Sequence, residues 1–308
     1  MQPALAIHGG AWAIPDAEVA EHLDAMRQAV ELGRDRLERA AGALDVVAAV
    51  IRLLEDHPAL DAGLGAVLNQ AGQVQLDAGI MDGESGGFGA VAGVTRTRHP
   101  IDAARAVLEL GGGQASLLVG PGADRWAQEH GLEMVEPGYF VVPREVARFQ
   151  SLQEQAGRFH TSFAFRGDKP RGTVGCVALD RAGRIATGTS TGGAPFTVPG
   201  RVGDSPLPGC GYWASSAAGA SATGWGEAIS RVLMCAHAVG RAEEGLHAQE
   251  AAEKAVSRLA SKVRDPEGRP ATGGVIVVDQ RGRVGHCFNT PRMARASWTP
   301  AAGVLLAC

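Results

Sequence analysis

The sequence has few aromatic residues, no long apolar run and no dense run of basic residues, and each absence excludes a class of protein. Aromatic residues make up 5% of the 308 residues. No apolar stretch approaches the roughly 18 residues of a transmembrane helix, so we expect no membrane partner. The net charge is −4, so nucleic acid is not an expected partner either. Residues 1–10 lack a basic stretch followed by an apolar run, which predicts no secretory signal and a cytoplasmic location.

Metal and disulfide chemistry have little support from the sequence. The five cysteines are odd in number and form no C-x-x-C pair, which argues against a disulfide framework and a zinc site. The nine histidines include no H-x-x-x-H pair, and no G-x-x-x-x-G-K phosphate-binding loop occurs. We therefore expect no required cofactor.

The chain is rich in glycine and has an ordinary balance of apolar and charged residues. Hydrophobic residues make up 45% and charged residues 20%, which is typical of a globular protein. The 43 glycines indicate many tight turns and close backbone approaches. The length allows one large domain or two medium ones.

Hydrophobic periodicity predicts strands and helices in blocks along the first half. Residues 4–8 predict a strand that Gly9-Gly10 ends, and Pro15-Asp16 opens a helix. The pattern then predicts a second helix ending before Pro58, strands over 74–81 and 88–94, and helices over 101–110 and 144–154.

A linker separates this half from a second half that contains two similar hairpins. Residues 155–172 are polar, contain Gly and Pro and show no period, which predicts the linker. Two pairs of short apolar runs, each joined by a turn that ends in Gly, predict β-hairpins over 173–189 and 275–288. Helices are predicted between them, over about 227–239 and 246–261. Hairpins and helices in blocks predict an α+β fold, and a four-layer αββα sandwich fits this order.

Two stretches match the G-x-S-x-G nucleophile motif of serine hydrolases, around Ser85 and Ser190. The motif requires a strained turn between a strand and a helix, and neither match is followed by a helical pattern. Matches with only three fixed positions also occur by chance in a glycine-rich chain. A serine hydrolase that uses Ser190 is therefore only an alternative.

Motifs that can carry chemistry are concentrated between residues 172 and 227. GTVG opens a strand directly after the linker, and STGG, PGRVGDSP and SATGWGE follow, beginning at Ser190, Pro199 and Ser221. Taken singly, a Thr at a strand start is a common β-branched strand residue, and an Arg and an Asp three residues apart are commonly a surface ion pair. The motifs are informative only together.

Together with motifs along nearly the whole chain, they resemble the plant-type L-asparaginases, also called isoaspartyl peptidases, which are N-terminal nucleophile hydrolases. The further motifs are IHGGA at 7–11, ALDVV at 43–47, AGLGAV at 62–67, LDA at 76–78, MDG at 81–83, GG at 273–274 and FNT at 288–290. The resemblance implies a single domain of residues 1–308 with the four-layer αββα sandwich.

The resemblance also implies that the chain cuts itself between Gly172 and Thr173, into an α subunit of residues 1–172 and a β subunit of residues 173–308. Thr173 would then be the nucleophile, and Thr191 would orient its hydroxyl. A Thr hydroxyl is a poor nucleophile, but the freed α-amine, with a pKa of roughly 8, can take its proton. A residue without Cβ at position 172 tolerates the strained backbone that such a cut needs.

The resemblance assigns substrate binding to four further residues. Arg201 would bind the substrate α-carboxylate, for which a guanidinium fork is well shaped, and Asp204 would pair with the α-ammonium. The Thr223 hydroxyl and the Gly224 backbone N–H would form the oxyanion hole. The implied reaction hydrolyses the side-chain amide of L-asparagine, or a β-aspartyl dipeptide, and releases L-aspartate through a β-aspartyl-threonine ester.

Three more features follow from the resemblance. His8-Gly9-Gly10 would lie near the nucleophile as a loop that can switch conformation, and a homodimer of cleaved αβ units would form. A structural sodium ion would be bound by backbone carbonyls of residues 54–64, where an ordinary helix end and turn is the equal alternative. The candidate sodium ligands are Leu54, Glu55, His57, Leu60, Ala62 and Leu64.

Three residues depart from the pattern usual in the family. Asp61 stands where Asn is usual, and a carboxylate there could shift the pKa of the Thr173 amine or alter a hydrogen bond behind the site. Trp12 and Trp225 stand where small or polar residues are common, and Trp225 could narrow the leaving-group side. Two other functions therefore stay open: a glycosylasparaginase-like activity, and an unprocessed protein of this fold that only binds amino acids.

Overall fold

The computed structural model describes residues 1–155 and 172–308 of the chain. Nearly all of the predicted linker, residues 156–171, lies outside the described residues. Within the described ranges the chain is a mixed α and β protein with two sheets and eight α-helices. Across these ranges, no helix has both the length and the apolar character needed to cross a membrane.

The strands are, in chain order, β1 (Ala4–Trp12), β2 (Leu76–Asp82), β3 (Phe88–Val94), β4 (Leu117–Val119), β5 (Val174–Leu179), β6 (Ile185–Thr191), β7 (Tyr212–Ala214), β8 (Ala218–Gly224), β9 (Gly273–Asp279), β10 (Val284–Phe288), β11 (Arg292–Thr299) and β12 (Gly303–Ala307). The larger sheet has the order β12-β11-β1-β5-β6-β2-β3-β4, and the smaller has the order β10-β9-β8-β7. Neighbouring strands are antiparallel except β3 and β4. The first strand of the chain therefore lies beside β5, the strand that opens directly after Thr173.

The helices are α1 (Asp16–Glu38), α2 (Ala43–Glu55), α3 (Pro100–Leu110), α4 (Gly120–Glu129), α5 (Pro143–Gln153), α6 (Gly226–Val232), α7 (Met234–Glu243) and α8 (Ala248–Lys262), with a 3-10 turn at Pro137–Phe140. Helices α1, α2 and α3 pack on the larger sheet, and α7 and α8 pack on the smaller sheet. The two sheets also contact each other, β1 against β9 and both β5 and β6 against β8.

Three apolar cores correspond to these contacts. One lies between the larger sheet and its helices, the second between the smaller sheet and its helices, and the third between the two sheets. Strand β5 contributes to two of the cores, because Cys176 faces the helices while Val177 faces the other sheet. This alternation is the two-residue period of a strand that is buried on both faces.

Two predictions of element boundaries were wrong. Strand β1 does not end at Gly9-Gly10, because a register shift against β11 between His8 and Ala11 absorbs the glycine pair and pairing resumes. The helix predicted over 227–239 is interrupted at Leu233, whose φ of 49° is left-handed and breaks the helical hydrogen bonds between α6 and α7.

The remaining predicted elements of both halves are confirmed to within a few residues, including both hairpins. Several short elements were not predicted at all. Strand β4 has only 3 residues, and α4 opens with Gly-Pro-Gly, which is a turn signal rather than a helix signal. Strands β7 and β12, and the longer strands β8 and β11, also escaped the sequence pattern.

Candidate active site

Thr173 and Thr191 face each other at the adjoining ends of two paired strands. Val174, the first residue of β5, pairs with Ser190 of β6, so Thr173 lies opposite the end of β6. The Thr173 hydroxyl donates to Oγ1 of Thr191 over 3.2 Å. The Gly193 N–H donates to the same Thr191 oxygen over 3.0 Å. Both threonines are buried, so the structure brings these two predicted site residues together.

A second hydroxyl also lies near the nucleophile candidate. Oγ of Ser205 is 3.4 Å from Oγ1 of Thr173. The Ser205 carbonyl accepts a bond from the Thr189 hydroxyl over 2.7 Å, which ties the Ser205 backbone to β6. The sequence signal for Ser205 was its place in the PGRVGDSP motif, but its approach to Thr173 was not predicted.

The backbone of Gly172 packs directly against that of Gly10 in β1. A Cβ added to Gly172 would lie 2.3 Å from the Gly10 Cα, and a Cβ on Gly10 would lie 2.7 Å from the Gly172 Cα. Gly10 also has a φ of 105°, a conformation in which L-residues are strained. Gly172 and Gly10 therefore both require glycine, which explains the second glycine of the Gly9-Gly10 pair in β1.

His8 connects the nucleophile candidate to the smaller sheet. Its Nδ1 lies 2.9 Å from the Thr173 carbonyl oxygen, and its Nε2 lies 2.7 Å from Oγ of Ser221 in β8. Because a carbonyl can only accept, Nδ1 carries the proton and Nε2 accepts from the Ser221 hydroxyl. Burial lowers the pKa of His8 to about 3, against the opposing effect of the Thr173 carbonyl, so the ring is neutral at physiological pH.

Arg201 is held by Glu227, the first residue after Gly226 in α6. Nε donates to Oε1 of Glu227 over 2.8 Å, and Nη2 donates to Oε2 over 3.0 Å. Burial alone would lower the pKa of Arg201, but the bonds and charge of Glu227 raise it. Nη1 lies on the side of Gly193, where an added Cβ would be 3.8 Å away. The remaining face of the guanidinium is therefore beside the residue that hydrogen-bonds to Thr191.

Asp204 is a buried carboxylate next to Arg201. Its Oδ2 has no hydrogen-bond partner among the described residues. Burial raises the pKa of Asp204 to about 7, although the charge of Arg201 opposes the shift. A Cβ on Gly226 would lie 2.8 Å from Asp204 Oδ1 and 2.9 Å from Arg201 Nη2. Arg201 and Asp204, the two residues predicted to bind the substrate head group, therefore both lie beside Gly226. The Asp204 carboxylate can still accept a hydrogen bond from a further donor.

Thr223 and Gly224 end strand β8 on the side of the sheet contact. The side chain of Thr223 lies two residues from that of Ser221, so both point to the same face of β8. The Thr223 hydroxyl is buried and has no hydrogen-bond partner among the described residues. Gly224 has a φ of 136°, and an added Cβ would lie 2.5 Å from the Gly273 Cα. An unused buried donor beside a glycine-only backbone position fits an oxyanion site.

Neither G-x-S-x-G match forms a nucleophile elbow. Ser190 lies inside β6, and its hydroxyl donates to Oε1 of Glu55 over 2.6 Å. Ser85 lies in the turn between β2 and β3, where its hydroxyl donates to Asp82 over 2.6 Å. No helix follows either serine, so the motif's structural requirement is not met.

The three atypical residues are all buried. The Asp61 carboxylate accepts the Val67 N–H over 3.1 Å, and its backbone carbonyl accepts the Gly192 N–H over 3.0 Å. Trp12 is fully buried in the core below the larger sheet, edge-to-face with His22 at 5.9 Å. Trp225 is buried in the core of the smaller sheet.

The predicted sodium loop is a tight turn after α2. Of the candidate ligands, the Glu55 carbonyl accepts the Leu64 N–H over 2.8 Å and the His57 carbonyl accepts the Leu60 N–H over 3.1 Å. A Cβ on Gly65 would lie 2.8 Å from the Leu60 carbonyl oxygen, so carbonyls crowd the inside of the turn. Such oxygens suit a hard cation. Among the described residues, no cluster of three or more His, Cys, Asp or Glu could hold a metal ion.

Two charged residues of the site were not predicted. Glu227 ended the SATGWGE motif and Asp77 lay in the LDA motif, yet nothing in either motif indicated the bond of Glu227 to Arg201 or the effect of the Arg201 charge on Asp77. Asp77 lies opposite Thr191 in the register of β2 and β6. Burial raises the pKa of Asp77 to about 6, while the Gly93 N–H and the charge of Arg201 oppose the shift.

A threonine at the start of an inner strand, with a second hydroxyl beside it and a glycine before it, is typical of the N-terminal nucleophile hydrolases. Comparison with known proteins agrees with this class. The asparaginase family model matches residues 1–303. The chain belongs to the asparaginase family.

Relatives that align with nearly the whole chain are named isoaspartyl peptidase or plant-type L-asparaginase. The isoaspartyl peptidase of Salmonella typhimurium is 40% identical, over 97% of this chain and 97% of its own. The plant-type L-asparaginase of Pyrobaculum calidifontis is 39% identical, over 96% of this chain and 97% of its own. The isoaspartyl peptidase/L-asparaginase of Danio rerio is 34% identical, over 98% of this chain and 93% of its own.

Proposed function

We propose that this protein is an autoprocessed threonine amidohydrolase that acts on L-asparagine and β-aspartyl dipeptides and releases L-aspartate. The observation that carries the proposal is the hydrogen bond of 3.2 Å between the Thr173 and Thr191 hydroxyls. The names of the relatives, isoaspartyl peptidase and plant-type L-asparaginase, support the substrate class.

The first step is self-cleavage of the Gly172–Thr173 bond. The Thr173 hydroxyl attacks the Gly172 carbonyl carbon, the peptide C–N bond breaks, and the proton moves to the Thr173 nitrogen. Water then hydrolyses the resulting Gly172 ester and restores the hydroxyl. The contact of Gly172 with Gly10 leaves no room for a side chain at the cut. The products are an α subunit of residues 1–172 and a β subunit of residues 173–308.

The mature nucleophile then uses its own amine as base. The free α-amine of Thr173 takes the hydroxyl proton, and Thr191 orients the oxygen. The oxygen attacks the side-chain amide carbon of the substrate, and the Thr223 hydroxyl and Gly224 N–H stabilise the oxyanion. Ammonia or an amine leaves with the proton, and water hydrolyses the β-aspartyl ester.

Arg201 and Asp204 recognise the amino-acid head group. The substrate α-carboxylate binds the Nη1 side of Arg201, because Glu227 occupies Nε and one of the two hydrogens of Nη2. The α-ammonium pairs with Asp204, whose Oδ2 is unused by the described residues. Asparagine and β-aspartyl dipeptides present the same head group, so one site serves both.

The proposal extends to architecture and assembly. The contacts between the two sheets and their outer helices fit a four-layer αββα sandwich in a single domain of residues 1–308. A homodimer of cleaved αβ units and a cytoplasmic location complete the proposal. A sodium ion bound by the carbonyls of residues 54–64 would fix the loop that carries Asp61, and Asp61 bonds to Gly192 beside Thr191.

The test is intact mass against time for the purified protein, beside Thr173→Ala and Ser190→Ala. We expect two fragments that meet between Gly172 and Thr173 in the wild type and in Ser190→Ala, and none in Thr173→Ala. The matured protein is then assayed with L-asparagine, a β-aspartyl dipeptide and a glycosylated asparagine. A folded wild-type chain that stays whole would contradict the mechanism and favour the binding-only function, and loss of activity only with Ser190→Ala would favour the serine hydrolase.

A further inference from the structure

Ser205 is a buried serine that the proposed reaction does not use. Only 1% of its surface is exposed, and it follows Asp204 in the PGRVGDSP motif. A buried hydroxyl is costly unless it has a hydrogen-bond partner. Among the described residues, the Ser205 hydroxyl has one such neighbour, Oγ1 of Thr173 at 3.4 Å. The neighbour of this buried hydroxyl is therefore the atom proposed to react.

Strand β6 fixes both sides of this contact from one face. Thr189 and Thr191 lie two residues apart in β6, so their side chains point to the same face. The Thr189 hydroxyl donates to the Ser205 carbonyl over 2.7 Å. The Thr191 hydroxyl oxygen accepts the hydroxyl hydrogen of Thr173 over 3.2 Å. Ser205 and Thr173 are thus both tied to the same strand.

Close packing also restrains the backbone of Ser205. A Cβ added to Gly211 would lie 2.7 Å from the Ser205 Cα, so the two backbones touch. The backbone N–H groups of Gly211 and Leu207 both donate to the Asp204 carbonyl, over 3.1 and 3.0 Å, which closes a tight turn around Ser205. A hydroxyl on such a restrained backbone keeps its place beside Thr173 without help from a substrate.

The hydrogen-bond directions give Ser205 a role that differs from that of Thr191. The single hydroxyl hydrogen of Thr173 is directed at Thr191, so Thr173 can only accept from Ser205. Thr191 therefore accepts and orients, whereas Ser205 donates. The 3.4 Å separation is long for two neutral hydroxyls. A donor in this position contributes most when its acceptor becomes charged, because bonds to an ionised oxygen are shorter and about twice as strong.

We propose that Ser205 is a catalytic residue whose hydroxyl stabilises the negative charge that develops on Oγ1 of Thr173. This inference rests on the proposed function of the site. In the mature protein the hydroxyl proton of Thr173 moves to its own α-amine, Oγ1 bonds to the amide carbon of the substrate, and Ser205 keeps its proton throughout. When water breaks the ester, Oγ1 leaves with the same developing charge and the amine returns the proton. Self-cleavage also uses Oγ1 as nucleophile, so Ser205 should accelerate self-cleavage and turnover alike.

The test compares Ser205→Ala and Ser205→Cys with a matched control, Ser190→Ala. The thiol of Ser205→Cys keeps the shape of the side chain but is a weak donor. Ser190 is also buried, and its hydroxyl donates to Glu55 over 2.6 Å rather than to Thr173. The readouts are the half-time of self-cleavage, kcat per matured chain, the Kd of L-aspartate and the thermal stability.

We expect Ser205→Ala to lengthen the half-time of self-cleavage and to lower kcat, each by about tenfold to a hundredfold, the effect of one hydrogen bond to a charged oxygen. Ser205→Cys should lie between Ser205→Ala and the wild type. The Kd of L-aspartate should stay near the wild-type value in both variants, because binding of the product places no charge on Oγ1. Ser190→Ala should stay near the wild type in self-cleavage, kcat and Kd.

Two results would overturn the inference. One is self-cleavage and kcat near the wild-type values in folded Ser205→Ala, or in Ser205→Cys if the alanine variant does not fold. The other is a Kd of L-aspartate that rises in proportion to the loss of kcat, which marks a structural role through Asp204. A wild-type chain that cleaves itself but hydrolyses neither substrate would contradict the proposed substrate class alone, because the self-cleavage rates of the variants still decide the role of Ser205.

Discussion

Both carboxylate oxygens of Glu227 are hydrogen-bonded to the guanidinium of Arg201, over 2.8 and 3.0 Å. This fork-to-fork contact uses Nε and Nη2 and fixes the plane of the guanidinium. The two hydrogens of Nη1, which lies beside Gly193, and the second hydrogen of Nη2 then remain for a substrate carboxylate. Arg201 is thus aimed at the site before any substrate arrives.

Removal of Glu227 should weaken substrate binding without affecting self-cleavage. In Glu227→Ala the guanidinium loses two charge-assisted bonds, each worth about 1.5–3 kcal/mol, and is free to rotate. Because Glu227 is partly exposed, screening reduces this value, and we expect a rise in KM of about tenfold to thirtyfold. Steady-state kinetics and mass spectrometry measure the two effects, with Glu227→Gln, which keeps one acceptor, as the milder variant. An unchanged KM in both variants would show that Arg201 needs no such support.

Replacement of His8 should reduce the loss of stability in mild acid. Burial lowers the pKa of His8 to about 3 from its ordinary 6.5, so between these values the unfolded chain takes up a proton that the folded chain does not. Stability therefore falls as pH drops below 6.5, by about 1.4 kcal/mol per pH unit. Between pH 7 and 5 this amounts to about 2 kcal/mol, which His8→Asn should largely abolish.

The measurement is urea unfolding at both pH values, made on uncleaved chains that also carry Thr173→Ala. The parent carrying Thr173→Ala alone is the control. Equal acid sensitivity of the two chains would mean that His8 is protonated, or exposed, in the folded protein.

Asp204→Asn should stabilise the chain in alkaline solution and not in acid. Burial raises the pKa of Asp204 to about 7 from its ordinary 3.8, so the folded chain retains a proton that the unfolded chain loses. The Asp204 side chain therefore contributes stability that is fully present below pH 3.8. This contribution is lost as the pH rises toward 7, by at most about 4 kcal/mol in total. Asn is neutral throughout and avoids this loss.

Urea unfolding at pH 4 and pH 8 compares Asp204→Asn with its parent. Both chains also carry Thr173→Ala, so that they stay uncleaved. The difference should be small at pH 4 and in favour of Asp204→Asn at pH 8. Affinity for L-aspartate should fall in the same variant, since the ammonium loses its counter-charge. A variant less stable than its parent at pH 8 would show that the charge of Arg201 outweighs the cost of burying the Asp204 carboxylate.

Thr223→Val should reduce turnover without reducing stability. The Thr223 hydroxyl is buried without a hydrogen-bond partner among the described residues, so its removal costs no protein bond. Loss of one oxyanion donor typically lowers kcat about 10²–10³-fold. Thr187→Val is the matched control, because the Thr187 hydroxyl bonds to the Cys176 and Ala220 carbonyls over 3.2 and 3.0 Å.

Thermal unfolding and kcat together separate the two variants. Thr187→Val should be destabilised by about 1–3 kcal/mol, from two carbonyls left with one partner fewer, and should retain turnover. Thr223→Val should keep its thermal stability and lose turnover. Full turnover in matured Thr223→Val would remove Thr223 from the oxyanion site.

The sequence predicted the regular elements where hydrophobic periodicity is strong and failed where other contacts decide. Helix α1 and both hairpins follow directly from spacing and turn residues. Strand β1 was cut short because Gly9-Gly10 is a stop signal locally, while pairing with β11 carries the strand past it. The break at Leu233 left no mark in the sequence, since the apolar spacing continues through it.

By itself, the sequence determined the family, the reactive residue types and the order in which they occur, because motifs such as GTVG and PGRVGDSP are local. Only the tertiary structure decided which of these groups share an environment. It paired Thr173 with Thr191, joined the guanidinium of Arg201 to Glu227 rather than to Asp204, and placed Asp77 opposite Thr191 in the sheet. Spacing along a chain cannot give these contacts, since they join strands and loops that are distant in sequence and meet only when the sheets pack.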